Sequence, residues 1–327
     1  MEVIREMDSQ DISRRTFIKY GIAAAAFVSS GCGITTNDIY DRGVRRIRVD
    51  VHGHTVRGLT ADRVISLMDK AGISHMVLMA WPRNDSLTFE IYKQYPERIL
   101  PFVSSMGRAW NRQDERVLSY TEKQLRSGIF RGVGEVMLRY YGKPLENESE
   151  TNIPADSPFI KKLSDIVENY NAVMLVHMEP EAEAVSSLEN LLNYNKKLRL
   201  IWAHLGQLSR VGQKTPGHSD IATLMDRHPN LYTDMSNGQP KSVAPSVKYR
   251  RFPITDDSGK LFPKIKELLK KHSDRVLFGL DTPYIDCWAE EPFKQWVKWA
   301  DKVVAQLKDS EDAERIMHKN AEKLFNI

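Results

Sequence analysis

Two histidines, His52 and His54, stand one residue apart in "RIRVDVHGHTVRG", at the end of an alternating apolar run and just after Asp50. On an extended strand, residues two apart project to the same side, so both imidazoles can face one ion. Nine histidines in 327 residues make one such pair easy to reach by chance, and the pair acquires meaning only from its company. That company is Glu135 in "FRGVGEVML", His177 in "AVMLVHME", His204 in "RLIWAHLG" and Asp281 in "VLFGLDTP". Each interrupts or ends an otherwise apolar run. A buried polar group left unsatisfied costs about 1–3 kcal/mol, so six of them at the ends of apolar runs require a shared partner. A divalent cation is the simplest partner for four imidazoles and two carboxylates.

The elements that must hold these residues alternate between short apolar runs and longer helical patterns, as in a parallel α/β sheet. Eight such runs follow Arg45: "RIRVDVH", "ISHMVLMA", "ILPFVSSM", "FRGVGEVML", "AVMLVHME", "RLIWAHLG", "LYTDMS" and "VLFGLDTP". Between the first two, "TADRVISLMDKAG" opens at Thr60 and closes at Gly72, residue types that suit the two caps of a helix. Eight strands with intervening helices predict a closed (β/α)8 TIM barrel, a single α/β domain over residues 45–327. A doubly wound open sheet is the alternative, but it wants a glycine-rich phosphate turn after its first strand, and none is present. In a barrel the chemistry sits at the carboxyl ends of the strands, where all six polar residues fall.

Taken together, the D-x-H-x-H of Asp50, His52 and His54, "GVGE" around Glu135, "LVH" at His177, "AHLG" at His204 and "GLDTP" at Asp281 resemble the amidohydrolase superfamily, specifically its amidohydrolase-2 branch. "YPERILPF" from Tyr95 and "NAEKLF" near Asn320 extend the likeness over essentially the whole chain after its N-terminal segment. The resemblance implies that His52, His54, His177 and Asp281 bind a first metal, with Asp281 as general base. A mainly nitrogen site suits zinc, with manganese, iron or cobalt as alternatives. It implies for His204 either a second ion or a contact that polarises the substrate, and for Glu135 either a bridge between ions or a partner that orients a ligand histidine. One ion or two is thus open at this point. Asp50 reads as a supporting partner of the ligands.

Arg57, Trp81, Arg83, Tyr140 and Asp234 are the candidates for substrate contact, since each follows or ends one of the runs at the mouth. Solvated rim residues are the alternative, and for Asp234 a residue that caps its strand. The connections "RYYGKPLENESETNIPADSP" and "NGQPKSVAPSVKYRRFPITDDSG" stretch their units beyond the norm of roughly 30 residues. They are expected to wall the site, with Tyr141, Lys248, Arg250 and Arg251 as contacts. The expected activity is hydrolysis of a C–N or C–O bond in a small amide or lactone-like compound. The alternatives are a non-oxidative decarboxylase of the same branch and an inactive barrel acting as an anchored binding protein.

The N-terminal "SRRTFIKYGIAAAAFVSSGCG" resembles a twin-arginine export signal, with Arg14 and Arg15 paired ahead of Phe17, Lys19 and an Ala-rich run. "SSGC" resembles a lipoprotein cleavage site that makes Cys32 the lipidated N-terminus, although Ser29 stands where that motif carries Leu; simple cleavage is the alternative. The expected organisation is a signal over 1–32, a linker over 33–44 and the barrel over 45–327, exported to the periplasm or cell surface and held on the membrane at Cys32. Cys32 and Cys287 are the two cysteines, so no disulfide is expected. With 41% hydrophobic and 28% charged residues the chain is globular, and its net +4 comes from 47 basic and 43 acidic residues scattered without a basic arm, which argues against nucleic acid. The expected partners are a small-molecule substrate and the export machinery; a homo-oligomer is left open. Replacing Arg14 and Arg15 together with lysine is expected to trap the full-length precursor in the cytoplasm in a fractionation assay. Cys32→Ser should move the protein from the membrane to the soluble fraction, and an unmodified Cys32 by mass spectrometry contradicts the anchor.

Overall fold

The barrel strands are β1 (Arg48–Thr55), β2 (Ile73–Ala80), β3 (Ile99–Val103), β4 (Gly132–Tyr140), β6 (Val173–Met178), β7 (Arg199–Trp202), β8 (Leu231–Asp234) and β9 (Val276–Leu277). The computed structural model describes residues 47–80, 85–104, 108–142, 150–206, 218–239, 244–247 and 253–327. Arg14, Arg15 and Cys32, together with Trp81, Arg83, Lys248, Arg250 and Arg251, lie outside the described residues. Neighbouring strands pair in parallel in the order β1-β2-β3-β4-β6-β7-β8-β9. The eight apolar runs of the sequence are these eight strands. One addition is β5 (Thr151–Asn152), two residues that pair antiparallel with Arg139 and Tyr140 at the end of β4. It belongs to the long connection after β4 and carries too little apolar pattern to announce itself.

The seam between the last strand and the first is closed by backbone and by one carboxylate. Val51 N–H donates to the Phe278 carbonyl at 3.0 Å, and Asp281 N–H donates to that of His52 at 2.7 Å. Asp50, fully buried, accepts from the N–H groups of His52 at 3.0 Å and Leu280 at 3.1 Å, so it ties the two sides of the seam together. Burial pushes its carboxyl up to about 7, against the pull of those two N–H groups.

Helices cover the outside of the strands. In α1 (Ala61–Ala71) the Thr60 side chain accepts from Arg63 N–H, and Gly72 ends the helix in the left-handed region at φ 65°. Both caps sit where the sequence places them, because capping is decided within a few residues. Inside the barrel, Val49, Val51, Val77, Met79, Phe102, Leu175 and Ile201 pack with Ala321, Leu324 and Phe325 of α11 (Asn320–Phe325). Arg199, which opens β7, donates to the Leu324 carbonyl, and Arg131, just before β4, donates to that of Phe325. The C-terminal helix therefore plugs the amino end of the barrel and leaves the carboxyl end for chemistry. Gly132 is needed at the base of β4: a Cβ there would lie 2.4 Å from Phe102 Cζ and 2.5 Å from the Val173 carbonyl oxygen. Among the described residues, no helix is long and apolar enough to cross a membrane.

Asn320 anchors this plug. Its Nδ2 donates to the carbonyls of Ser273 at 2.7 Å and Val276 at 2.8 Å, the second lying on β9. Asn320→Ala leaves both buried carbonyls without that donor and should lower unfolding stability by about 1–3 kcal/mol, read from the midpoint of urea denaturation.

Candidate metal centre

β1 delivers two histidines to the mouth through an irregularity in its pairing with β2 between Asp50 and Gly53. Such a break re-aims the residues beyond it. Val49 and Val51 fill the barrel interior, and His52 and His54 above them enter a polar cluster. His54 Nε2 lies 3.2 Å from Asp281 Oδ1 and 3.6 Å from Glu135 Oε2. His52 Nε2 lies 3.7 Å from Glu135 Oε2 and 3.8 Å from Asp281 Oδ1. The other oxygen of Glu135 turns away from this group. Oε1 lies 2.9 Å from His177 Nδ1 and 3.2 Å from His204 Nε2, which are themselves 3.2 Å apart.

Glu135 thus stands between two sets of imidazoles, one carboxylate oxygen in each. The resemblance assigns His177 to the same set as His52, His54 and Asp281; in the structure His177 lies with His204 and Glu135, and His204 lies also with His52 and Asp281. Strand order sets these distances. β4, β6 and β7 are consecutive and deliver Glu135, His177 and His204 to one side, whereas the seam puts the exit of β9 beside β1 and brings Asp281 to His52 and His54. The His52 ring stacks on that of His204 at 4.9 Å, so the two sets adjoin.

Two of these residues sit on strained backbone. His204 has φ 61° and Asp281 has φ 56°, a region that costs a non-glycine residue about 1–3 kcal/mol. Each conformation is held by a backbone donor: His204 N–H donates to Asp234 Oδ1 at 3.2 Å and Asp281 N–H to the His52 carbonyl.

None of the six side chains is more than 5% exposed, so they must neutralise one another without water. Burial on its own raises a carboxyl and lowers an imidazole, yet here the mutual attraction prevails. His177 and His52 hold the Glu135 carboxyl well below its usual range, and the hydrogen bond from His54 with the nearby His52 and His204 does the same for Asp281. Glu179 and Glu135 push the His177 imidazole up to about 9. The cluster therefore demands positive charge at its centre, which protons supply when no metal is bound and a cation can supply by displacing them. The donor set fits such an ion. His52 Nε2 is buried with no hydrogen-bond partner among the described residues. The separations of 3.2–3.8 Å from Nε2 of His52 and His54 to the oxygens of Glu135 and Asp281 bracket the roughly 3.4 Å edge of a tetrahedron of ligands about 2.1 Å from a metal.

The other predicted residues fall differently. Tyr140 reaches the cluster, its ring edge-on to His177 with centroids 5.3 Å apart. Arg57 is exposed in the turn after β1. Asp234, read as a substrate contact, is fully buried and spends its carboxylate on His52 Nδ1, His204 N–H and Ser236. The short reach of an aspartate at the very end of β8 accounts for this placement. Sequence reasoning passes over three more residues. Glu179 is fully buried with Oε1 at 3.4 Å from His177 Nε2, and its H-x-E spacing repeats the period of two that marks His52 and His54. Ser236 stands two residues after Asp234 with Oγ at 2.7 Å from His204 Nδ1, and Asn237 Nδ2 donates to Asp281 Oδ2. The connection after β4 is clamped to the end of β6 beside Tyr140: Arg139 donates to Glu181 at 2.7 Å and Glu150 at 2.7 Å, and the Tyr141 hydroxyl donates to Glu181 at 2.6 Å.

Comparison with known proteins adds the family. A search of curated proteins finds no match to the chain. Among solved structures, a probable 2-pyrone-4,6-dicarboxylic acid hydrolase from Acinetobacter baumannii with citric acid bound is 17% identical, with a TM-score of 0.56 over 86% of this chain and 99% of that one. A dihydroxybenzoic acid decarboxylase from Polaromonas with bound manganese and the inhibitor 2-nitroresorcinol is 14% identical, with a TM-score of 0.51 over 86% and 96%. An amidohydrolase from Burkholderia multivorans with bound zinc is 13% identical, with a TM-score of 0.54 over 86% and 99%. At such identities the likeness speaks to the fold. The family rests on the amidohydrolase model (Amidohydro_2), which matches residues 49–327, from the second residue of β1 to the last residue of the chain. By that match, and with its eight-stranded barrel and histidine–carboxylate mouth, the chain belongs to the amidohydrolase family.

Proposed function

We propose that this enzyme is a metal-dependent hydrolase that cleaves a C–N or C–O bond of a small amide or lactone-like substrate at the barrel mouth. The observation that carries the reading is Glu135, whose two oxygens face His52 and His54 on one side and His177 and His204 on the other. That arrangement supports two ions sharing one carboxylate, with His52, His54 and Asp281 holding one and His177 and His204 the other. Zinc or manganese suits the donors, with iron or cobalt as alternatives. When bound, such an ion supplies a Lewis acid that polarises a carbonyl oxygen and acidifies water.

The chain's own residues do the rest. Asp281 Oδ1, on the side of His54, takes the proton of the attacking water and returns it to the leaving nitrogen or oxygen. Asn237 holds Oδ2 of the same carboxylate, which leaves Oδ1, beside His54 Nε2, to take that proton. With two ions His204 Nε2 would be a ligand; with one it would be left to polarise the reacting oxygen from the opposite side of the cluster. Tyr140 forms a wall against His177, and the Arg139–Glu181–Tyr141 clamp keeps that wall in place and water out. Arg57, exposed after β1, and, from their place in the sequence alone, Trp81 and Arg83 remain the further candidates for substrate contact. The Tyr140 face also suits a flat aromatic acid, which together with the fold shared with a dihydroxybenzoic acid decarboxylase favours non-oxidative decarboxylation as the second reading. Export by the Arg14–Arg15 signal and anchorage at Cys32 belong to the same proposal and rest on the N-terminal sequence alone.

Elemental analysis of the purified protein should find about two transition-metal ions per chain. Glu135→Gln is expected to reduce this to one; an unchanged count means that Glu135 only orients His177. Asp281→Asn keeps a ligating oxygen and a residue type that tolerates positive φ, so metal should remain. Turnover in a screen of lactones, amides and aromatic carboxylates should nevertheless fall by roughly 100-fold or more, the scale of losing a general base. Near-native hydrolysis by this variant removes Asp281 from the proton path, and release of carbon dioxide without hydrolysis selects the second reading.

A further inference from the structure

Behind the ligand imidazoles, one carboxylate reaches both sets at once. Asp234, fully buried at the end of β8, places Oδ2 3.0 Å from His52 Nδ1. Its Oδ1 accepts from the backbone N–H of His204 at 3.2 Å, from that of Ser236 at 2.9 Å and from the Ser236 hydroxyl. The Ser236 oxygen in turn lies 2.7 Å from His204 Nδ1 and 3.4 Å from His52 Nδ1. Asn237 Nδ2 is 3.3 Å from the same His204 nitrogen and makes its shorter contact to Asp281 Oδ2.

A carboxylate only accepts, so a neutral His52 must carry its hydrogen on Nδ1. The single Ser236 hydroxyl hydrogen points at Asp234, so the serine oxygen is left to accept from His204 Nδ1–H. In His52 the hydrogen is drawn to the rear nitrogen, and Nε2 is left as an acceptor toward the cluster; His204 Nε2 lies 3.2 Å from Glu135 Oε1, so the form of that ring answers to Glu135 as well as to Ser236. We infer that Asp234 is the positioning residue that sets the ring tautomer of His52, leaving its Nε2 ready to bind a metal. The inference rests on reading His52 as a metal ligand.

Backbone geometry makes this testable with an isosteric change. The N–H groups of His204 and Ser236 cannot turn away, so in Asp234→Asn the side-chain carbonyl must stay on them and the amide must face His52 Nδ1. That reverses the rear contact: Nδ1 has to accept, and the hydrogen moves to Nε2, the nitrogen aimed at the cluster. Ser236 can still donate to the carbonyl, so the change is confined to His52. Ser236→Ala is the control: it alters the partner behind His204 and leaves the Asp234 contact to His52 in place.

The experiment is a long-range ¹H–¹⁵N correlation on metal-stripped full-length protein labelled at histidine, paired with zinc titration against a chromophoric chelator. At a pH high enough for His52 to be neutral, the wild type should show that residue in the Nδ1–H form and Asp234→Asn should show it in the Nε2–H form. Zinc affinity of that variant should drop 10- to 100-fold, the scale for losing a partner behind a ligand, while the melting temperature of the metal-free protein stays close to wild type. Should Asp234→Asn fail to fold, Asp234→Ala must still release His52 from the Nδ1–H form while Ser236→Ala leaves it there. An Asp234→Asn protein whose His52 stays Nδ1–H, or whose zinc affinity lies within twofold of wild type, overturns the inference. Tautomers that respond as stated in a wild-type protein that takes up no zinc support the role of Asp234 and overturn the metal reading instead.

Discussion

Glu135 is the constraint on which the mouth of this barrel depends. A carboxylate almost wholly removed from water has to find positive charge or hydrogen-bond donors nearby, or it becomes neutral. Here it lies among four imidazoles and keeps its charge, because His177, His52 and His204 lower its proton affinity by more than burial raises it. The same balance runs the other way for the histidines, His177 most clearly. Remove the carboxylate and the imidazoles on its two sides lose the group that holds them together.

The barrel serves this arrangement by separating its two ends. α11 fills the amino end with Ala321, Leu324 and Phe325, and Asn320 ties that plug to β9, so the apolar interior is complete without help from the mouth. The carboxyl end is then free to concentrate polar side chains that a packed core would reject. Closure is what brings them together. Asp50 and the Val51–Phe278 and Asp281–His52 backbone contacts join the exit of β9 to β1, and this seam carries Asp281 to the two histidines of β1. Strained backbone at His204 and Asp281 is tolerated because each N–H is held by an acceptor that belongs to the cluster.

Support for the imidazoles is as organised as the donors themselves. Asp234 backs His52, Ser236 backs His204 and Glu179 backs His177, each from the side away from the centre. A ligand histidine needs such a partner to fix its tautomer and its ring orientation. The walls around the centre come from a different source. Tyr140 stands on the last residue of β4, and the Arg139–Glu181 clamp joins the connections after β4 and β6. Chemistry built on strand ends and selectivity built on the connections is the usual division of labour in this fold.

The sequence by itself determined what depends on neighbours in the chain. Eight apolar runs became eight strands, Thr60 and Gly72 capped the first helix, and His52, His54, Glu135, His177, His204 and Asp281 all came to the carboxyl end. Period and capping act over a few residues, so they are legible in one dimension. Tertiary structure alone decided how the six are grouped, because His177 joins His204 through strands that are consecutive, while Asp281 joins His52 through the closure of the ring. It also set Asp234 against the His52 imidazole and the His204 backbone and brought in Ser236 and Asn237. Those roles depend on which side chains meet across strands some thirty to more than two hundred residues apart in the chain, from β7 to β8 or β1 to β9, and a buried carboxylate takes its partner from whatever donor the closed barrel places within about 3 Å of it.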